Sequence, residues 1–271
     1  MAKKGRYSFV QNFTLLTPQK TPVGVPFTEL QSVDSTNNYA MRLVHEGLAR
    51  HGFAVFAHEQ TAGKGQRGKQ WLAQQGKNIM MSVVLEPTPL FTAPSFRFSM
   101  AMAVAAYGLL KKVCPEFVKG VAADVKIKWP NDLFIGDRKA GGILIENSIS
   151  AGIWKFAIAG FGININQTEF GDLGTKAVSL KQATRKDYDV IALAKKLCGE
   201  IDAVLKKLET APLAIESIYL ERLYKRGEHV KLKKGARVFD AKIIGVNAAG
   251  QLVTQHAVEE AFGVGEVEWL L

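Results

Sequence analysis

The sequence has little of what marks several large classes of protein. Cysteine occurs only twice in 271 residues, at Cys114 and Cys198. There is no Cys-x-x-Cys pair and no histidine or second cysteine at ligand spacing, so neither a disulfide framework nor a zinc site is indicated. That usage fits a reducing cytoplasm. No run of eighteen apolar residues occurs, so no hydrophobic membrane-spanning helix is expected. The basic start from Met1 to Arg6 runs into Tyr7-Ser8-Phe9-Val10-Gln11-Asn12, which is too short and polar for a signal-peptide core. His45, His51, His58, His229 and His256 lack ligand spacing and receive no function. Acidic residues are in deficit, 25 against 35 Lys and Arg, for a net charge of +10. Such a surface draws in polyphosphates or acidic partners at long range. The basic residues are scattered, without an arginine-rich stripe or an aromatic RNA-binding signature.

What is present is a 47% hydrophobic chain with enough apolar residues for one large domain and a small appendage. Residues 1–26, with Pro18, Pro22, Gly24 and Pro26, read as an extended lead-in. They are too few for a three-helix DNA-binding module at about ten residues per helix. From Phe27 the elements alternate. Asp34-Ser35-Thr36 is a helix N-cap signal ahead of Tyr39, Ala40, Leu43 and Val44. Phe53 to His58 and Ile79 to Leu85 read as strands, and Pro94 opens a helix from Ser95 to Val113. A strand from Val125 to Trp129 precedes turns at Pro130-Asn131-Asp132 and Gly136-Asp137-Arg138, then a hairpin of 142–149 with 153–159. Helices over 188–208 and 212–224 follow. Beyond Gly227, short strands punctuated by glycine predict a small barrel of about 45 residues. The expected boundaries are therefore 27–225 for the main domain and 226–271 for the terminal one. The expected class is α+β, with a mixed, mostly antiparallel sheet flanked by helices.

Two segments carry the chemistry. Gly63-Lys64-Gly65-Gln66-Arg67-Gly68-Lys69 is a glycine-punctuated loop in which backbone N–H groups and cations can gather around an anion. It matches Gly-x-Gly-x-x-Gly after a strand, and Glu86 stands near the acidic position of a dinucleotide fingerprint. A Rossmann turn, however, opens a crossover helix, and only Lys69 to Gln75 separate this loop from the turn before the next strand. The second segment, Lys128-Trp129-Pro130-Asn131-Asp132, leads to Lys139-Ala140-Gly141-Gly142. There a lysine between a turn and an apolar strand can meet a carboxylate and a phosphate together. The pair points to acyl-adenylate chemistry.

These motifs resemble the catalytic domain of biotin protein ligases, over roughly residues 27 to 225, and the glycine-rich C-terminus resembles that family's SH3-like domain. The resemblance implies the biotin ligase catalytic fold and an enzymatic type without the family's N-terminal DNA-binding domain. It implies formation of biotinyl-5′-AMP from biotin and ATP with Mg²⁺, then transfer to a lysine of a carboxylase biotin carrier domain, with no specific DNA binding and no membrane. By motif, Ser35, Thr36, Asn37 and Gln60 stand where the family binds biotin. Trp71, Trp129 and Asn131 also fall within substrate-binding motifs. Gly141, Gly142, Gly162 and Asn164 match segments where backbone comes close to biotin. Lys139 matches the lysine that contacts the carboxylate and the forming acyl phosphate, and Asp132 the group that orients or deprotonates the acceptor amine.

One departure stands out. The commonest form of the family loop has arginine at the positions of Lys64 and Gln66, so charge is kept at the first and lost at the second. Arg67, one residue on, is the expected substitute, with Gly63, Gly65 and Gly68 shaping the loop. Two rivals remain: a lipoate ligase of the same fold, and a non-catalytic nucleic-acid-binding protein using the +10 charge.

Overall fold

The computed structural model describes residues 20–87, 95–114, 117–118, 121–122 and 124–270. Residues 1–19 of the expected lead-in and Pro94 of the expected helix opening lie outside them.

Seven strands form the main sheet: β1 (Phe27–Leu30), β2 (Ala54–Ala57), β3 (Asn78–Leu85), β6 (Val125–Lys128), β7 (Asp132–Ile135), β8 (Arg138–Ser150) and β9 (Ile153–Asn164). Between β3 and β6 lies a two-stranded ribbon, β4 (Phe117–Val118) with β5 (Val121–Ala122). The order across the main sheet is β1-β2-β3-β9-β8-β7-β6, with β1 and β2 parallel and every other pair antiparallel. The sheet is thus mixed and mostly antiparallel, as expected.

Side-chain alternation assigns its two faces. Ile79, Met81, Val83 and Leu85 of β3, with Ala157, Ala159 and Ile163 of β9, enter the larger core with α2 (Phe96–Val113), α4 (Val190–Thr210) and α5 (Pro212–Glu221). Val84 and Ile158 point the other way and pack with Ala40 and Val44 of α1 (Thr36–His45). Beyond Ile158 the same face of β9 carries Gly160 and Gly162. The sheet is covered by α1 at one end and bare at the other.

Several elements differ from the sequence reading. Asp132 opens strand β7 instead of closing a turn, and β8 and β9 extend well past the expected hairpin. The glycines that look like turn signals pair across the ladder, Gly142 opposite Gly162, so their service is to leave a strand surface without side chains. A short helix, α3 (Leu180–Thr184), opens on a capping box in which Ser179 accepts from the Gln182 N–H and Gln182 accepts from the Ser179 N–H. The Gly63–Gly68 loop opens no crossover helix, only a single turn at Gln66–Gly68 before the chain reaches β3.

The C-terminal part is a five-stranded antiparallel sheet, β13-β12-β11-β10-β14. Its strands are β10 (His229–Lys234), β11 (Arg237–Val246), β12 (Leu252–Gln255), β13 (Glu259–Phe262) and β14 (Glu268–Trp269). Val230, Leu232, Ala241, Ile243, Leu252 and Phe262 are buried and join the same apolar cluster as the main sheet. The connection is short. Ile127 donates to the Arg222 carbonyl, Tyr224 donates to that of Ile127, and Lys225 turns the chain at φ 58°.

Candidate active site

A cleft of about 950 Å³ lies over the bare end of the main sheet. The Lys64–Leu72 segment roofs it and residues 264–269 of the C-terminal part form one wall. Most of the residues singled out by sequence line it; Gly63, Gly68 and Gly141 do not. Gly63 closes the base of the loop by accepting from the Trp71 N–H at 2.9 Å. Gly68 makes the turn at the tip, and Gly141 is a strand residue opposite Ile163.

One corner is polar. Ser35 is the N-cap residue of α1 with extended backbone, yet its side chain makes no capping hydrogen bond and lines the cleft instead. The Thr36 N–H and Oγ1 lie 2.7 and 3.1 Å from Gln60 Oε1. Ser82 Oγ sits 2.7 Å from Thr36 Oγ1 and 2.6 Å from Asn37 Oδ1, so its one proton serves one of the two. Asn37 donates to Glu146 Oε2 at 2.7 Å, and Glu146 also holds the Lys64 ammonium at 3.5 Å. Asn37 can reach this far because β9 has no side chain beneath it: a methyl on Gly160 would stand 2.3 Å from Asn37 Oδ1. Ser82 and Glu146 were not among the expected site residues. Each lies on the strand face that alternation turns toward the cleft, but pairing order is needed to know which face that is.

A lysine–aspartate pair lies at the start of β8. Lys139 Nζ lies 2.6 Å from Asp132 Oδ1 and 5.9 Å from the centre of the Trp71 ring. The backbone of Lys139 is clamped: its N–H donates to the Lys176 carbonyl at 2.8 Å and its own carbonyl accepts from Val178 at 2.9 Å. Asn164 spends its amide on the Lys139 and Val178 carbonyls, so it positions the lysine. Asn131 likewise donates to the Ile143 carbonyl while Ile143 donates back at 3.1 Å, tying the Trp-Pro-Asn-Asp segment to β8. Trp71 lies flat over Gly162, where a methyl would come within 2.5 Å of the indole. Its Nε1 is buried without a partner among the described residues. Trp129 is 3% exposed and donates from Nε1 to the Gly250 carbonyl at 2.9 Å, so it serves both the core and the cleft wall.

The loop is a narrow finger. The amides of Gly65, Lys69 and Trp71 are spent on the carbonyls of Lys69, Gln66 and Gly63. What it offers an anion is therefore cationic side chains more than the amide cradle its glycines suggest. Arg67, in the left-handed region at φ 58°, donates to the Gly265 carbonyl at 3.0 Å and so joins the finger to the C-terminal wall. Lys128, quoted within the motif but given no role there, lines the cleft below that wall. Burial holds its pKa below the ordinary lysine value, with Asp132 pulling the other way.

A polar corner for a small head group, a lysine–aspartate pair at the centre and cations beyond is an arrangement that can bind a carboxylic acid and bring its carboxylate to a nucleotide phosphate. Comparison with known proteins agrees. The model of the biotin/lipoate A/B protein ligase family matches residues 29–164. The biotin–[acetyl-CoA-carboxylase] ligase of Paracoccus denitrificans is 31% identical over 232 residues, covering 83% of this chain and 92% of that protein. The bifunctional ligase/repressor BirA of Escherichia coli is 30% identical over 80% of this chain, but the match spans only 64% of that relative's length. Among solved structures, the biotin protein ligase of Aquifex aeolicus in complex with biotin and ATP superposes with a TM-score of 0.73 at 27% identity, covering 90% of this chain and 97% of that one. The matched residues 29–164 include the α1 cap, the glycine finger and the Asp132–Lys139 pair that build the cleft, and the chain belongs to the biotin/lipoate A/B protein ligase family.

Proposed function

We propose that this chain is an ATP-dependent biotin protein ligase, which forms biotinyl-5′-AMP from biotin and MgATP and transfers the biotinyl group to a lysine of a carboxylase biotin carrier domain. The observation that carries the reading is the Lys139–Asp132 pair at 2.6 Å, set between the polar corner and the cationic wall. In the first step a biotin carboxylate oxygen attacks the α-phosphorus of ATP and pyrophosphate leaves. Lys139 neutralises the approach of one anion to another, which is where a preorganised cation contributes most. In the second step the acceptor amine attacks the acyl carbon and AMP leaves. Asp132, one strand away from Gly142 in register, is the group placed to orient that amine and take its proton.

The polar corner favours biotin over lipoate. A ureido ring offers two N–H donors and a carbonyl acceptor to Ser35, Thr36, Asn37 and Gln60, whereas a dithiolane offers none. Each hydrogen bond that biotin makes there and lipoate cannot is worth about 0.5–1.5 kcal/mol. Mg²⁺ belongs to the substrate in this scheme. No group of three or more His, Cys, Asp or Glu among the described residues is placed to hold a metal, and Mg²⁺ is commonly carried on nucleotide phosphates. No helix among the described residues is long and apolar enough to cross a membrane. We place the reaction in the cytoplasm, where ATP and carrier domains meet. The test is mass measurement of a carboxylase carrier domain incubated with the chain, biotin and MgATP. One biotinyl group on one lysine is expected, and an unmodified carrier would reject the proposal.

A further inference from the structure

Glu146, on the cleft-side face of β8, serves the site from behind. It does not line the cleft, yet each of its oxygens holds a residue that does. Oε2 accepts from the Asn37 amide at 2.7 Å, and Oε1 lies 3.5 Å from the Lys64 ammonium. Among the described residues it pairs with no other side chain. Its two partners come from different sides of the pocket: Asn37 from the first turn of α1, in the polar corner, and Lys64 from the base of the finger.

A carboxylate only accepts hydrogen bonds, so the end of the Asn37 amide that faces Glu146 is its NH₂ group. The Leu144 carbonyl, 3.4 Å from the same nitrogen, favours that orientation more weakly. Ser82, 2.6 Å from Asn37 Oδ1, cannot decide the matter, because a hydroxyl can meet either end of an amide. The Asn37 oxygen is thereby left over Gly160, which lines the cleft, and it keeps a second lone pair besides the one that faces Ser82. At this point the corner presents an acceptor, which is what a head-group N–H needs.

We propose that Glu146 is a positioning residue for the acid. It orients Asn37 so that the corner reads an N–H of the head group, and it anchors the finger through Lys64, so one carboxylate outside the pocket sets two of its sides. This role rests on the biotin ligase function proposed above, in which a ureido ring supplies the N–H. The Lys64 pair is partly exposed and its effect modest, whereas the contact to Asn37, which is buried, is charge-assisted and contributes more. The competing role is structural, a tie between α1 and β8 to which a bound acid is indifferent.

The test uses the full chain. In the ligand-free parent, the side-chain amide of Asn37, assigned by its disappearance in Asn37→Ala, should show one proton shifted downfield in a nitrogen–proton correlation spectrum. Glu146→Ala should return that proton to the ordinary amide position. The same variant should weaken biotin about tenfold or more by calorimetry, while the KM for ATP at saturating biotin moves less than about twofold. Glu146→Gln keeps the size and removes the charge. It should speed biotin dissociation about two- to fivefold, the scale of a partly exposed ion pair. In a chain already carrying Lys64→Met the same change should have less than about a 1.5-fold effect, because the pair is already gone. Unchanged biotin affinity in Glu146→Ala, effects of Glu146→Gln and Lys64→Met that simply multiply, or an ordinary Asn37 signal in the parent would each overturn the proposal. A parent that binds no biotin would reject the biotin reading, and the Asn37 signal of the ligand-free chain would still decide whether Glu146 sets that amide.

Discussion

At the scale of single residues, the site depends on a few groups whose freedom has been removed. The Lys139 backbone is held by hydrogen bonds on both sides and by Asn164 behind, which fixes the base of its side chain, and its ammonium is paired with Asp132 at 2.6 Å. Removing one preorganised cation costs about 2.7–4 kcal/mol of transition-state stabilisation, so Lys139→Ala should slow adenylate formation by about 10² to 10³ in single-turnover measurements. An adenylation rate within a few-fold of the parent's would remove Lys139 from the mechanism. Gly162 supports the other side of the same centre. Its methyl would stand 2.5 Å from the Trp71 indole, and Trp71 is anchored through its own N–H to Gly63. Gly162→Ala should therefore displace the ring and weaken biotin by about tenfold or more, read by calorimetry beside an unchanged circular-dichroism spectrum. Unaltered biotin affinity would mean that the ring is not part of the acid's binding surface.

At the scale of elements, the glycine finger and the C-terminal wall act together. Gln66 and Arg67 both line the cleft, but the exposed Arg67 alone has its guanidinium fixed on the Gly265 carbonyl. If that link keeps the finger down over the intermediate, Arg67→Gly should form biotinyl-AMP and release it early, labelling bystander proteins as well as the carrier. Gln66→Gly should leak much less. Intermediate dissociation measured for both variants decides the matter, and the opposite ranking would place the retaining contact at Gln66. Much of this architecture was legible in the sequence because strong local signals agree with the tertiary outcome: the α1 cap, the long apolar α2, the glycine-punctuated strands beyond Gly227 and the two motif segments. What sequence could not show was pairing. The service of Gly160 and Gly162 depends on lying opposite β8 and beneath Asn37 and Trp71, and that of Glu146 on facing both Asn37 and Lys64. Lys128 was visible as a letter in a motif, but its contact with the Trp269 ring, from the far end of the chain, was not.

For the whole molecule, the two sheets share one apolar cluster, and Trp129, Arg67 and Lys128 of the main part all contact residues of the C-terminal part. Cooperative unfolding follows from such a shared core. Calorimetry should give a single transition, and two well-separated transitions would show that the C-terminal sheet is an independent body. The same union puts the polar corner, the lysine–aspartate pair and the cationic wall around a single cleft, and the central claim is that this cleft activates biotin. Exchange of labelled pyrophosphate into ATP tests that claim most directly, because it reports the first step without any carrier protein. With Mg²⁺ present, biotin should support exchange and lipoate should not, since only biotin offers hydrogen-bonding groups to Ser35, Thr36, Asn37 and Gln60. Exchange as fast with lipoate as with biotin, or none with biotin, would contradict the account.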